Sequence, residues 1–148
     1  MNLINQESSG ETRGAASRID LWLVDDNEGF REGFGLLLKR RFGFERIRPF
    51  GSAEAAIEAL DHGKGPDAVL LDLKLPGMNG AEAVGMIKAR SPATRVFIFA
   101  TYFDVARSAQ ALAAGASAFL TKNHSYEEVV SALCGEPHFK PSQGWRLK

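Results

Sequence analysis

Apolar residues recur along this chain in two alternating rhythms. Ile19-Asp-Leu-Trp-Leu-Val24, Ala68-Val-Leu-Leu71, Arg95-Val-Phe-Ile-Phe99 and Ala118-Phe-Leu-Thr121 are short, nearly continuous apolar runs. They are too short for helices and predict strands buried on both faces. A weaker fifth candidate, Phe44 to Phe50, carries Pro49 near its end, a position tolerated at a sheet edge. Between these runs the spacing becomes helical. Phe30, Phe34, Leu37, Leu38 and Arg41 follow a cap at Asn27 or Asp26 and stop at Gly43; Ser52 opens a helix with Ala55, Ala56, Ala59 and Leu60 as its apolar stripe. Ala81 to Ala89 directs Ala83, Val84 and Ile87 to the core. Asp104 to Ala114 carries Val105, Ala109 and Leu112 on one side and ends at Gly115. Ser125-x-x-Glu128 is a capping box that opens a helix running through Leu133.

Five strands alternating with five helices predict a parallel sheet covered on both faces, a three-layer α/β sandwich. The 148 residues suit one domain. Its expected limits are residues 18–134, between a flexible polar arm (1–17) and an irregular tail (135–148).

In open parallel sheets, ligands gather at the carboxyl ends of the strands near a topological switch point. Those ends carry Asp25-Asp26, Asp72, Ala100-Thr101 and Thr121-Lys122. Three carboxylates brought together repel unless a hard cation intervenes, and Mg²⁺ prefers oxygen ligands of this kind. A carboxylate can act as nucleophile toward phosphorus, and Asp72, ending the central strand, is the choice. Lys122 would supply a fixed charge to the phosphoryl oxygens.

Composition narrows the field without pointing elsewhere. Eighteen Lys and Arg balance eighteen Asp and Glu, so no overall field favours a nucleic acid or an anionic membrane. Lys39-Arg40-Arg41 with Arg46 and Arg48 is a local basic cluster, but it borders a helix end where cations are favoured anyway. Cys134 is the only cysteine and reads as core, which fits a reducing compartment. His62, His124 and His138 show no metal spacing. Trp22, Phe30, Phe34, Phe97 and Phe99 read most simply as core. No apolar run approaches the roughly 20 residues of a membrane span, so a cytoplasmic protein is expected.

Val24-Asp-Asp-Asn27, Leu71-Asp-Leu-Lys-Leu-Pro-Gly-Met-Asn-Gly80 and Gly115-Ala-Ser-Ala-Phe-Leu-Thr-Lys122 together resemble the response-regulator receiver family, from about Ile19 to Leu133. The resemblance implies a (βα)5 flavodoxin-like fold and Mg²⁺-dependent phosphorylation by a sensor histidine kinase or a phosphotransfer protein. Asp72 takes the acceptor position, Asp25 and Asp26 the acid pair serving Mg²⁺, Lys74 the backbone carbonyl ligand, and Lys122 the phosphoryl-contacting lysine. The family usually ends its fourth strand with Thr or Ser, whose hydroxyl bonds the phosphoryl group. A gap-free count puts Ala100 there and Thr101 one residue late. Either the loop shifts so that Thr101 serves, or this link is missing. Phe119 occupies the family's two-state aromatic position.

Three functions follow for comparison. A switch would be a single-domain regulator acting on an unnamed downstream protein, touching DNA only through an output domain absent from the chain; a homodimer is left open. A pseudo-receiver, used as a phosphate-independent binding or dimerisation module, is favoured by Ala100. A phosphatase of the haloacid-dehalogenase kind wants a second Asp two residues after the nucleophile, where this chain has Lys74.

Overall fold

The computed structural model describes residues 13–135. Five strands, β1 (Asp20–Val24), β2 (Arg46–Phe50), β3 (Ala68–Asp72), β4 (Arg95–Ala100) and β5 (Ala118–Thr121), alternate with five helices. The helices are α1 (Glu28–Phe42), α2 (Ala53–Asp61), α3 (Gly80–Arg90), α4 (Val105–Ala114) and α5 (Tyr126–Cys134). All strand pairs are parallel, in the order β2-β1-β3-β4-β5. The chain therefore reverses its direction of travel between β1 and β3, and that is where the acids are expected to meet.

Strand alternation divides the core into two layers. Leu21, Leu23, Leu70, Phe97, Phe99 and Leu120 face α1 and α5, where Phe34, Leu38, Val129 and Leu133 meet them. Trp22, Val24, Val69, Leu71, Ile98 and Phe119 face the layer of α2, α3 and α4. The three-layer sandwich expected from the sequence is the architecture found.

Local chemistry explains the boundaries. The side chains of Asn27, Ser52, Asn79, Asp104 and Ser125 each accept a backbone N–H at a helix start. Ser125 and Glu128 complete the capping box. Gly43, at φ +84°, ends α1 in the left-handed conformation, which suits a residue without Cβ.

Three readings are corrected. The arm expected to run to Ser17 lies outside the described residues only as far as residue 12; residues 13–18 are helical. Ala16 is fully buried there, and the Arg13 guanidinium donates to the carbonyls of Arg40 and Arg41 at the end of α1. The stripe of α2 is rotated from the expected one: Ala53, Ala56, Ile57 and Leu60 are buried, whereas Ala55 is exposed. On α4 the buried residues are Ser108 and Ala111, whereas Val105 and Ala109 face solvent. Cys134 is half-buried against the α1/α5 core layer. His138 and the tail from residue 136 lie outside the described residues.

Candidate functional site

β1 and β3 lie side by side, so the residues at their carboxyl ends converge without help from any long loop. Asp25 and Asp26 follow β1 and Asp72 ends β3. Carboxylate oxygens of the three come within 4.8 Å of one another. Asp25 is buried, Asp72 half-buried and Asp26 exposed.

Each acid is held differently. Asp25 Oδ1 accepts from the Asn27 N–H at 2.9 Å and Oδ2 from Lys122 Nζ at 3.1 Å. Its backbone carbonyl accepts from the Arg31 guanidinium. Asp72 Oδ1 accepts from the Lys74 N–H at 3.3 Å. Burial and the nearby Asp25 charge raise the Asp72 carboxyl above the ordinary range, and Asp26 adds to the rise; the Lys74 N–H and the Lys122 charge oppose it. The Pro76-Gly77 turn then reverses the chain, with Gly77 at φ +89°, and delivers it to the Asn79 cap of α3.

Lys122 arrives from β5, across the end of β4. Its N–H donates to the Ala100 carbonyl at 2.7 Å, which fixes the backbone from which the side chain reaches Asp25. Ala100 is inside β4, opposite Thr121 in the register, and buried; Thr101 follows the strand and is exposed. Phe119 is fully buried and meets the Phe103 ring edge-on at 5.5 Å.

Two features beside the site were not singled out from the sequence as part of it. The Phe30 ring, read as plain core, is half-buried and lies under the Lys122 ammonium, with Nζ 4.1 Å from its centroid. His124 Nδ1 lies 3.1 Å from the Thr121 N–H and 2.8 Å from its hydroxyl; burial lowers the His124 pKa. The apolar period of α1 does not distinguish a ring that packs from one that also receives a cation. The short His124 contact closes a turn that spacing alone does not reveal.

A parallel sheet with three acids at its switch point and a lysine reaching in from the last strand defines a receiver. The chain matches the response regulator receiver domain over residues 21–134 and belongs to that family, the signal-accepting module of two-component systems. It is 34% identical over 117 residues to the transcriptional regulatory protein LnrK of Bacillus subtilis, covering 78% of this chain and 52% of that protein. It is 31% identical over 111 residues to the nitrate/nitrite response regulator protein NarL of Escherichia coli K12, covering 75% of this chain and 51% of that protein. The chain spans about half the length of these curated relatives. Among solved structures, the signal receiver domain of the putative response regulator NarL from Mycobacterium tuberculosis superposes with TM-score 0.70 at 30% identity, covering 79% of this chain and 94% of that one. A response regulator from Burkholderia pseudomallei, determined with a phosphorylated aspartic acid, calcium ion and citrate, gives TM-score 0.69 at 25% identity, covering 78% and 66%. Among the described residues no helix is long and apolar enough to cross a membrane.

Proposed function

We propose that this receiver is a phosphorylation switch in which Asp72 accepts a phosphoryl group from a sensor histidine kinase or a phosphotransfer protein. The observation that carries the reading is the gathering of Asp72 with Asp25 and Asp26 inside 4.8 Å, beside a lysine already drawn into the group. An Asp72 carboxylate oxygen attacks phosphorus and an O–P bond forms, giving an acyl phosphate. The bond from phosphorus to the donor's nitrogen or oxygen breaks, and its electron pair leaves with the donor.

The donor set fits a hard cation, since the three clustered groups are all carboxylates. Asp25, Asp26 and Asp72, with the backbone carbonyl of Lys74, would hold Mg²⁺. Bound there, the ion supplies positive charge that offsets repulsion between the carboxylates and an incoming phosphoryl group. Lys122 supplies a second positive charge from the opposite strand, and its attachment to Asp25 keeps that charge at the site before the donor arrives. The Asn27 N–H holds Asp25, and the Lys74 N–H orients Asp72. Catalysis by the chain's own residues is then placement and charge stabilisation.

Ala100 has no hydroxyl, so we infer that the outward signal runs through packing: Ala100, Phe119, Phe103 and the seat of α4. That seat is unusual, because Ser108 Oγ is buried with no hydrogen-bond partner among the described residues while Val105 is 68% exposed. A groove of 520 Å³ lies between the loop after Asp72 and Arg107 and Gln110 on α4. The region from β4 to α5 shifts, and a downstream protein reads the change by contact, as in a single-domain regulator. Contact with DNA would come through an output domain joined to the receiver, a reading supported by the LnrK relative's name, which makes that protein a transcriptional regulatory protein.

Ala100 also favours a second reading, a receiver that binds or dimerises without phosphate. Incubation with Mg²⁺ and acetyl phosphate, followed by intact mass, separates the two. A single phosphoryl adduct that requires Mg²⁺ and disappears in Asp72→Asn supports the switch; no adduct together with no binding of Mg²⁺ or beryllofluoride supports the second.

A further inference from the structure

Phe30 sits in the first turn of α1, where its place is fixed by the same turn that holds Asp25. The Asn27 N–H donates to Asp25 Oδ1 at 2.9 Å, and Asn27 Oδ1 accepts the Phe30 N–H, also at 2.9 Å. Carboxylate and ring are therefore parts of one short hydrogen-bonded unit. The ring is braced from behind by Phe34, at 5.3 Å between centroids, and by Phe99, at 5.9 Å.

Lys122 enters between these two groups. Its Nζ donates to Asp25 Oδ2 at 3.1 Å and lies 4.1 Å from the centre of the Phe30 ring, with the Phe99 ring further away at 5.7 Å. Only 25% of the Lys122 side chain is exposed, so the ammonium has given up much of its water. The negative face of an aromatic ring replaces part of that hydration, whereas an aliphatic side chain of similar size would fill the space without attracting the charge.

We propose that Phe30 is a positioning residue for phosphoryl transfer to Asp72. Its ring holds the Lys122 ammonium over the acid group while the ammonium passes from Asp25 Oδ2 to the incoming phosphoryl oxygens. Without the ring, Lys122 keeps one attachment at Asp25 and loses the support that remains when that attachment is released. The proposal rests on the reading of Asp72 as the acceptor.

The test compares initial rates of adduct formation with acetyl phosphate and Mg²⁺, by intact mass, in the full chain. Phe30→Leu is expected to react about five-fold more slowly, equivalent to about 1 kcal/mol where each tenfold is about 1.4 kcal/mol. Phe30→Tyr, which keeps the ring face, is expected to react within about two-fold of the parent protein. In a Lys122→Ala background, Phe30→Leu is expected to add no further loss. The ring-current shift of the Lys122 ε-CH₂ protons, read by NMR without any phosphodonor, should fall in Phe30→Leu to the smaller contribution of the more distant Phe99 ring and persist in Phe30→Tyr. A parent protein that reacts normally and a Phe30→Leu variant that matches it would overturn the role of Phe30 alone. Equal slowing by Phe30→Leu with and without Lys122 would reduce the ring to packing and also overturn the proposal. Failure of the parent protein to form any adduct would instead overturn the acceptor reading, and the role of Phe30 in transfer with it.

Discussion

Helices α1 and α4 cover opposite faces of one sheet, and their buried residues tell different stories. On α1, Phe34, Leu38 and Phe42 enter the core at helical spacing, and both ends are tied. Asn27 caps the start, Arg13 meets the last carbonyls, and Arg41 pairs with Glu127 of α5. On α4, Ser108 is buried with no hydrogen-bond partner among the described residues, whereas Val105 stands in solvent. Burying an unsatisfied hydroxyl costs roughly 1–3 kcal/mol, and exposing a valine forgoes part of the gain from burial. α1 is held by large buried side chains although Leu36 is 48% exposed, whereas the residues α4 buries fully, Ser108 and Ala111, are small. So light a seat marks an element that a small change at a nearby site can move. α1 bears Phe30 beside the acids and suits holding the site. α4, next to Ala100 and Phe119, suits reporting on it.

Leu38→Ala tests the seat of α1 most severely. It removes a fully buried side chain and should cost about 2–5 kcal/mol in urea unfolding; a loss below about 1 kcal/mol would erase the contrast with α4. Ser108→Ala should act in the opposite direction, raising stability by roughly 1 kcal/mol, because it deletes the orphan hydroxyl at nearly constant volume. A destabilised variant would mean that the hydroxyl has a partner in solution.

The acids provide a pH-dependent version of the comparison. Burial and Asp25 raise the Asp72 pKa in the folded protein, so the native state holds that proton more tightly than the unfolded chain. The associated stability is fully present below the ordinary carboxylate value and is lost as pH rises through the folded value. Asp72→Asn should therefore melt higher than the parent at pH 7, with the gap narrowing toward pH 4. A gap that does not depend on pH would point to packing in place of charge. Val105→Ser should be the mildest change, within about 0.5 kcal/mol, since the side chain is 68% exposed. A larger loss would show that Val105 spends much of its time in the core.

The sequence carried the strands and the acids clearly, for a physical reason. A strand buried on both faces must be apolar nearly throughout, so the acid that ends it is conspicuous, as Asp72 is after Leu70 and Leu71. Asp25 and Asp26 are visible for the same reason after Val24. Helix faces were legible where large residues define them, as Phe34 and Leu38 do on α1 and Ile87 on α3. They were misread on α2 and α4, where alanines appear on several sides and give a weak preference for one face. On α2, Ile57 enters the core and Ala55 does not; on α4, the sheet accepts Ser108 and Ala111 while leaving Val105 outside. Residues 13–17 read as arm because only Ala16 enters the core there, and the Arg13 contact joins residues far apart in the chain. Phe30 reads from the sequence as core; its ring is half-buried against Phe34 and Phe99, and nothing in its spacing indicates the lysine arriving from β5.

The proposed phosphoryl site divides the labour between α1, which would hold it, and α4, which would move. Hydrogen–deuterium exchange of the protein with Mg²⁺, before and after addition of beryllofluoride as a phosphoryl mimic, tests this division most directly. The predicted result is a change in exchange over residues 104–115 and the turn after β5, with α1 from Glu28 to Phe42 unchanged. An exchange change spread evenly over both helices, or confined to α1, would contradict it.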